Sequence, residues 1–410
     1  MRILIVGAGG VGAAVAAIAR HRDFFEHLAI ADLDGARAQA ALDRIGRPDR
    51  MEAHAVDASD QSAIVGLARQ TRASIVLNAC DPRLNPPIFA AALEAGCDYV
   101  DMAMTLSERH PERPYEKVGV MLGDGQFAEH EQWEAAGRLA LVGMGVEPGF
   151  SDVAARHASD ELFSEVDELA VRDGADLVVD GYGFAPTFSI WTTIEECLNP
   201  PLIWERDRGF FVTEPFSEPE TFTFPAGIGP VECVNVEHEE VVLMPRWLQA
   251  RRVTFKYGLG DEFIDVLRTL HKLGLDSTVP LAVRGAHVAP RDVVAAALPD
   301  PATLGDRMRG RTCAGTLVTG AGLDGAPRAV YVHHVVDNEE AMGRDGTQAV
   351  VWQTAINPLV AMELVAQGVW QGSGVLGPEA FPAGPFLDLL ADYGSPHGVQ
   401  ERDPVDPQRG

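Results

Sequence analysis

The stretch RILIVGAGGVG, residues 2–12, indicates the fold of the N-terminal half of the chain. RILIV is a short apolar run that predicts a buried strand, and VGAAVAAIAR after it has the small residues of a helix packed closely on a sheet. Between them, Gly7, Gly9 and Gly12 have the GxGxxG spacing. In that setting the first glycine permits a tight turn, the second lets the backbone approach a pyrophosphate, and the third lets helix and strand pack closely. The stretch therefore predicts a dinucleotide-binding turn, with free N–H groups at the helix N-terminus.

The rest of the predicted cofactor site follows from the same pattern. Asp32 closes the second strand, where a carboxylate accepts hydrogen bonds from ribose hydroxyls and repels a 2′-phosphate, so we expect NAD. NADP is the alternative, because Arg37 lies nearby. Asp57 ends the third strand, either near the adenine or as an ordinary loop residue, and the end of the fourth strand would face the nicotinamide. The predicted cofactor-binding residues are Gly7, Gly9, Gly10, Val11, Gly12, Asp32, Asp57, Asn78, Ala79 and Cys80.

The order of the predicted elements indicates an α/β fold with two domains. Six apolar runs alternate with helical segments up to GRLALVGMG, which predicts a doubly wound parallel sheet. After about residue 152, longer β-rich segments predict an α+β domain with an antiparallel or mixed sheet, including a hairpin over residues 312–336. A helix over residues 347–368 is expected to be interrupted near Pro358, and the polar segment after Tyr393 to be mobile.

Composition limits the partners of the chain. It has 60 acidic and 33 basic residues among 410, a net charge of −27, which argues against nucleic acid and anionic membrane partners. This charge would attract a cationic substrate such as a polyamine, although it is also typical of an ordinary soluble surface. Five cysteines without CxxC spacing favour a reducing cytoplasm. We identify no signal peptide and no apolar run long enough to span a bilayer.

Two acidic residues follow late strands of the predicted parallel sheet, where the substrate of a nicotinamide enzyme would lie. Asp101 comes after CDYV, either as a proton acceptor and amine contact or as a turn cap. Glu147 lies in GMGVEPGFSD and has the same two interpretations. Ser151 or Asp152 is expected to cap the helix after Pro148.

The second domain contains further candidates. Trp191 and Thr192, in a segment predicted to enter a helix, are candidates to cover a substrate, although such aromatic residues more often belong to the core. His238, beside Glu239, is a candidate general acid or base, and without HxxxH or CxxC spacing no metal site is predicted. Lys256 is a lone lysine on an apolar strand and would meet an anion, shift its pKa, or extend to the surface.

The chain resembles the saccharopine dehydrogenase superfamily in VGAGGVG, YVDMA, GMGVEPGFSD, FSIW and VEHEE, in that order, and its C-terminal half is most similar to the carboxynorspermidine dehydrogenase branch. The resemblance implies a Rossmann domain over residues 1–150, rejoined by helices within 350–392, a substrate-binding and dimerisation domain over 151–349, and a tail over 393–410. It also implies a homodimer that transfers a hydride between a nicotinamide and a carbon bonded to nitrogen, through an imine. Asp101, Glu147, Trp191, His238 and Lys256 would face the substrate.

The subfamily stays open on the sequence alone. The helix PIFAAALEAG lacks the lysine of the fungal saccharopine-forming enzymes, Asp32 departs from the NADP-type polyamine branch, and KYGLGDEF lacks the histidine of lysine 6-dehydrogenases. Saccharopine, with three carboxylates, would require several of the arginines Arg172, Arg246, Arg251 and Arg252, and only one of Arg251 and Arg252 can enter a pocket from a strand. A carboxylated polyamine would instead require acids, for which the candidates are Asp173, Asp176, Asp180, Glu195 and Glu239.

We therefore predict an NAD(P)-dependent oxidoreductase that acts on the CH–NH bond of an amino-acid or polyamine conjugate. The predicted catalytic residues are Asp101, His238 and Lys256, and the predicted substrate-binding residues are Glu147, Trp191, Thr192, Glu239 and Arg251. The alternatives are an L-lysine 6-dehydrogenase and a non-catalytic dinucleotide-binding dimer.

Overall fold

The computed structural model describes residues 1–408, and its first sheet has seven parallel strands. These strands are β1 (Arg2–Val6), β2 (His27–Asp32), β3 (Met51–Ala55), β4 (Ile75–Asn78), β5 (Asp98–Asp101), β6 (Leu139–Leu141) and, from much later in the chain, β19 (Gly374–Leu376). Their order across the sheet is β3-β2-β1-β4-β5-β6-β19. The direction of winding reverses between β1 and β4, which is the point where open α/β sheets bind ligands.

Short apolar runs form these strands because both faces of a parallel sheet are covered. Ile3, Leu4, Ile5 and Val6 of β1 are all buried. The helices within this part of the chain are α1 (Gly10–Ala19), α2 (Gly35–Arg44), α3 (Gln61–Thr71), α4 (Asn85–Ala95), α5 (Asp124–Phe127) and α6 (His130–Ala135). Alanines dominate the buried face of α1, which allows the close helix packing that the sequence predicts.

The second sheet has nine strands and is mixed. Its strands are β7 (Phe163–Ala175), β9 (Leu202–Glu205), β10 (Gly209–Val212), β11 (Glu220–Phe224), β12 (Gly229–Asn235), β13 (Arg252–Gly258), β17 (Arg311–Gly322), β18 (Pro327–Asp337) and β20 (Gly398–Arg402). β7 lies parallel to β13 and antiparallel to β17, and β17 and β18 form the predicted hairpin. The predicted fold class, a Rossmann domain plus an α+β domain with a mixed sheet, is confirmed.

The remaining elements connect or cover the two sheets. Two short ribbons are formed by β8 (Val178–Val179) with β16 (Met308–Arg309) and by β14 (Leu281–Val283) with β15 (Ala286–Val288). The helices are α7 (Phe150–Glu161), α8 (Ile190–Leu198), α9 (Glu240–Trp247), α10 (Asp261–Lys272), α11 (Pro290–Ala297), α12 (Asn338–Asp345), α13 (Ala349–Ala366) and α14 (Ala383–Asp392).

The segment GMGVEPGFSD connects the two sheets, from the end of β6 to the start of α7. The N–H of Gly149, at a φ of +132°, donates to the carboxylate of Asp152 at 2.7 Å, which caps α7. The carbonyl of Ser151 accepts a hydrogen bond from Thr316 of β17 at 2.7 Å. Because α7 is held to the second sheet while the segment leaves the first, Glu147 is positioned between them.

Helix α13 corrects two expectations. It continues through Pro358 without interruption, because its surroundings bury nearly all of its residues and this packing offsets the hydrogen bond that proline cannot make. By length and composition this helix could also cross a membrane, whereas we identified no apolar run of that length in the sequence. In the structure, 83% of the helix is buried inside the protein.

The C-terminal segment also differs from the expected mobile tail. Strand β20 pairs with β18 at the edge of the second sheet, and the buried Arg402 donates to the carbonyl of Thr223 at 2.7 Å. The sequence conceals this strand because Val399 and Glu401 are exposed and its one buried residue is the charged Arg402. The last two residues of the predicted tail, 409 and 410, lie outside the described residues.

Candidate active site

A cavity of about 500 Å³ lies between the carboxyl ends of the Rossmann strands and the second sheet. On the Rossmann side it is lined by the first residues of α1 and by residues at or after the ends of β4, β5 and β6. On the other side it is lined by the ends of β7 and β13 and by the start of α8. Its volume suits a small molecule beside a nicotinamide.

The glycine loop has the shape of a dinucleotide cradle. A side chain on Gly7, at a φ of +106°, would collide with the carbonyl of Ala79, and one on Gly12 would collide with the carbonyl of Gly7. Gly9 is different, because no described atom lies within 4 Å of the position that its side chain would take. Gly7 and Gly12 therefore serve the turn and the packing, whereas the open side of Gly9, next to the N-terminus of α1, fits a bound pyrophosphate.

Asp32 is joined to this loop. Its Oδ2 accepts the N–H of Ala8 at 2.9 Å and its Oδ1 accepts the N–H of Asp34 at 3.1 Å. Asp57 is exposed and is bonded to Ser59, at 2.9 Å to its N–H and 2.6 Å to its hydroxyl. It does not line the cavity.

The end of β4 lies where a nicotinamide would enter. Gly10, Val11, Asn78, Ala79 and Cys80 all line the cavity. Asn78 is held by Asn85 at 2.7 Å and by the hydroxyl of Tyr99 at 3.0 Å. Burial raises the pKa of Cys80 to about 12, so this thiol stays protonated.

Asp101, at the end of β5, is buried and reaches the cavity. Its two oxygens accept the side-chain amide of Gln126 and the N–H of Gly143, each at 2.7 Å. Burial raises the pKa of this carboxyl to about 7, although the bonds from Gly143 and Gln126 oppose the rise. Asp101 can therefore exchange a proton near neutral pH.

Besides Asp81 and Asp300, four more carboxyls line the cavity: those of Glu147, Asp173, Glu196 and Glu239. Burial raises the pKa of all four, that of Asp173 to about 6 and that of Glu196 to about 8. The nearby carboxyl of Asp173 adds to the rise for Glu147. Two neighbouring carboxyls favour the protonated form of one of them, because both cannot easily be ionised together.

His238 lies directly behind these acids. Its ring is stacked on that of Phe255, with centroids 3.7 Å apart, and its Nδ1 is 2.6 Å from Glu240 and 3.4 Å from Glu239. Burial opposes the imidazolium charge, but Glu240 and Glu239 outweigh it and raise the pKa of His238 to about 10. His238 does not line the cavity itself. It is a buried cation that balances part of the acidic charge.

Comparisons with known proteins match this architecture. Models of the saccharopine dehydrogenase NADP binding domain and the saccharopine dehydrogenase C-terminal domain match residues 3–141 and 145–395. The chain belongs to the saccharopine dehydrogenase family. As predicted, it is an NAD(P)-dependent oxidoreductase.

Two relatives and one solved structure show how far the likeness extends. The chain is 30% identical to a carboxynorspermidine synthase of Vibrio alginolyticus, over 99% of both chains. It is 27% identical to a carboxyaminopropylagmatine dehydrogenase of Synechocystis, over 96% of both. A saccharopine dehydrogenase (L-Glu forming) structure from Saccharomyces cerevisiae covers 98% of this chain and 100% of its own, at 16% identity and a TM-score of 0.68, which shows a shared fold.

Several residues predicted for the site lie elsewhere in this saccharopine dehydrogenase family member. Lys256 is on the other face of β13, where its ammonium is 2.7 Å from Glu220. Arg251 is exposed and pairs with Glu165 at 2.7 Å and with Asp167 at 3.1 Å. Trp191 is buried beside the cavity and donates to Asp292 at 3.2 Å, whereas its neighbour Thr192 lines the cavity.

Other residues of the site were not singled out from the sequence. Tyr257 lines the cavity because it is the register partner of Asp173 on the neighbouring strand, and Lys256 is the partner of Arg172. Alternation along β13 allowed either Lys256 or Tyr257 to face the substrate. Gln126, which holds Asp101, comes from the short helix α5, and no local motif indicates it.

Proposed function

We propose that the protein forms or cleaves the secondary amine of a carboxyalkyl polyamine, of the type named in its two relatives. The observation that carries this proposal is the charge of the cavity. Its charged lining residues are all acids: Asp81, Asp101, Glu147, Asp173, Glu196, Glu239 and Asp300. No Lys, Arg or His of residues 1–408 is among the lining residues. A cavity of this charge favours a polycation.

Saccharopine fits the same cavity poorly, since a tricarboxylate requires cationic partners. The arginines that were candidates to bind its carboxylates contact other residues of the protein. Arg172 is bonded to Glu220 at 2.5 Å and Arg252 to Glu205 at 2.7 Å. The guanidinium of Arg246 lies over the ring of Phe127, 3.8 Å from its centroid. A compound with one carboxylate and several amines meets less repulsion than one with three carboxylates.

In the direction of cleavage, the reaction begins when Asp101 accepts a proton from the secondary ammonium of the substrate. When bound, the nicotinamide supplies the acceptor for the hydride that leaves the neighbouring carbon. Water then adds to the imine, and amine and aldehyde separate. Gln126 and Gly143 keep Asp101 oriented throughout, and in the direction of synthesis the protonated Asp101 returns its proton to the new amine.

We infer NAD as the preferred cofactor. Asp32 holds the glycine loop through Ala8, and its carboxylate stands at the end of β2, where a 2′-phosphate would meet its charge. Arg37, which could accommodate such a phosphate, is exposed.

We also propose a homodimer, with the β14–β15 ribbon in its interface. Leu281 and Val283 on this ribbon are 55% and 54% exposed. A two-stranded ribbon is marginally stable by itself, so contact with a second copy would stabilise it.

The experiment follows reduced nicotinamide by its absorbance. Cleavage of carboxynorspermidine at its secondary amine gives 1,3-diaminopropane and aspartate semialdehyde, so these two compounds are supplied with NADH or NADPH. Putrescine and agmatine replace the diamine in parallel, and saccharopine and lysine are supplied with the oxidised cofactors. We expect turnover with a di- or polyamine and NADH. Turnover of saccharopine or lysine alone would contradict the proposal.

A further inference from the structure

Three carboxyls and one aromatic ring meet at the part of the cavity formed by the second sheet. Asp173 and Tyr257 are register partners on β7 and β13, so they lie side by side on one face. Glu196 comes from α8, and Glu147 comes from the segment between β6 and α7. Burial raises the pKa of the Tyr257 hydroxyl well above its ordinary value, and the charges of all three carboxyls add to this rise. We call Glu147, Asp173, Glu196 and Tyr257 the acidic group.

The nearest buried cations are bound by other acids. Arg172 and Lys256 precede Asp173 and Tyr257 on the two strands, so they point to the opposite face, where Glu220 accepts from both. The Nδ1 of His238 is hydrogen-bonded to the carboxylate of Glu240. On the back of the sheet both cations are therefore held by Glu220, whereas the front presents carboxyls without a contacting Lys or Arg in the described chain.

Glu147 provides an independent sign of a missing ligand. Its Oε2 is buried and has no hydrogen-bond partner within residues 1–408, although the residue lines the cavity. An acceptor left in this state costs about 1–3 kcal/mol, so it is retained where a ligand satisfies it. The ligand must supply N–H or O–H donors, and the two neighbouring acids favour a positive charge.

We propose that the acidic group binds the primary ammonium at the far end of the diamine half of the substrate, the end that does not react. An ammonium has three donors, one for each carboxyl, and the ring of Tyr257 adds attraction for a cation. This inference rests on the proposed function, because it assigns one end of that substrate. Asp101, at the end of β5, then acts at the nitrogen that reacts.

Binding at this place releases a proton. The Glu147–Asp173 pair holds a proton while the cavity has no cation, and an ammonium replaces it. The other charged groups that act on the pair are Glu196 on α8 and Glu240 and His238 at the start of α9. His238 is the one cation among these three, and its bond to Glu240 keeps it in place.

The kinetic test compares a diamine with a monoamine of the same length. With aspartate semialdehyde and reduced cofactor held constant, kcat/KM for 1,3-diaminopropane is expected to exceed that for propylamine by about 10–100-fold. Glu147→Gln and Asp173→Asn should each lower kcat/KM for 1,3-diaminopropane far more than kcat/KM for propylamine, so that most of this ratio is lost. Asp167→Asn is the control, because it removes the same charge from an exposed position on the same strand. Equal use of both amines by the wild-type protein, or equal losses for both in the variants, would overturn the inference and leave the proposed function intact.

Direct binding tests the same inference without turnover. Calorimetric titration of the full chain with 1,3-diaminopropane, in two buffers of different ionisation enthalpy, should show net proton release on binding. This release should be smaller in Asp173→Asn and unchanged in Asp167→Asn. If no amine is turned over but the diamine binds with proton release, the proposed reaction is wrong and the ammonium site stands. If the diamine does not bind, the ammonium site is wrong.

Discussion

Replacement of Asp101 by asparagine tests the proton transfer in the proposed reaction. Burial raises the pKa of Asp101 from an ordinary 3.8 to about 7, which corresponds to about 4 kcal/mol in favour of the protonated form. At pH 7 about half of the Asp101 carboxyls are protonated, whereas an ordinary aspartate would be protonated in about one molecule in 1,600. This environment prepares one group both to accept and to return a proton. The amide of an asparagine at this position can do neither, and we expect kcat to fall by about 10²–10⁴-fold.

The assay is the pH dependence of kcat/KM, which reports groups of the free enzyme. For amine cleavage, wild-type kcat/KM should rise with pH through about 7 as Asp101 ionises, and for synthesis it should fall over the same range. The variant Gln126→Leu removes a donor that stabilises the ionised carboxyl, so its pH profile should move to higher pH without loss of the fold. If Asp101→Asn is folded and keeps both its rate and the inflection near pH 7, the reasoning is refuted.

Three further outcomes are expected. Asp32→Ser should lower the ratio of kcat/KM for NADH to that for NADPH by about tenfold, because one repulsive charge is lost, and an unchanged ratio would remove Asp32 from cofactor selection. Gly9→Ala should leave thermal unfolding unchanged, since its methyl meets no atom of the described chain, but calorimetry should show NADH binding weakened at least about tenfold. Lys256→Met should lower the free energy of unfolding in urea by about 1–3 kcal/mol, because Glu220 loses one of its two cations, while kcat/KM stays within about threefold of wild type. A hundredfold loss of kcat in this variant would instead support a catalytic Lys256.

The local patterns of the sequence predict the first domain well, because each of its steps is short-range. RILIV is buried on both faces of a parallel sheet, and the three glycines of GAGGVG follow it directly. Strand β19 is different. It joins the same sheet next to β6, from more than two hundred residues further along the chain, and its three residues resemble any short apolar run. Its position depends on pairing with β6 and on the hydrogen bonds between Val375 and His130 of α6, which no local pattern indicates.

In the second domain, the sequence does not decide whether Lys256 or Tyr257 faces the cavity. A strand pattern gives two faces but does not say which one meets the cavity. That choice depends on Glu220, which lies on a separate strand, β11, and binds both Lys256 and Arg172. The sequence analysis singled out Lys256 as a lone charge on an apolar strand. In the structure, the carboxylate of Glu220 binds this lysine. Its neighbour Tyr257, which the sequence analysis did not single out, is the residue that lines the cavity.

The arrangement of charges also indicates how an acidic cavity can be buried without a resident cation. Burial raises the pKa of Asp173 from 3.8 to about 6 and that of Glu196 from 4.5 to about 8, so between these values each site holds a proton that the unfolded chain would lose. The stability that comes from the bound protons is fully present below the unfolded-state pKa values and is lost as the pH rises through the folded-state values of about 6 and about 8. A bound polycation replaces those protons with its own charge, so it should stabilise the protein more strongly at pH 8 than at pH 6. A neutral or anionic compound has no such effect, since it leaves the carboxyls either protonated or unpaired. Because their pKa values are raised, the buried carboxyls can stay protonated and uncharged when no ligand is bound. For the same reason, a cation stabilises their ionised form more than a neutral or anionic compound does.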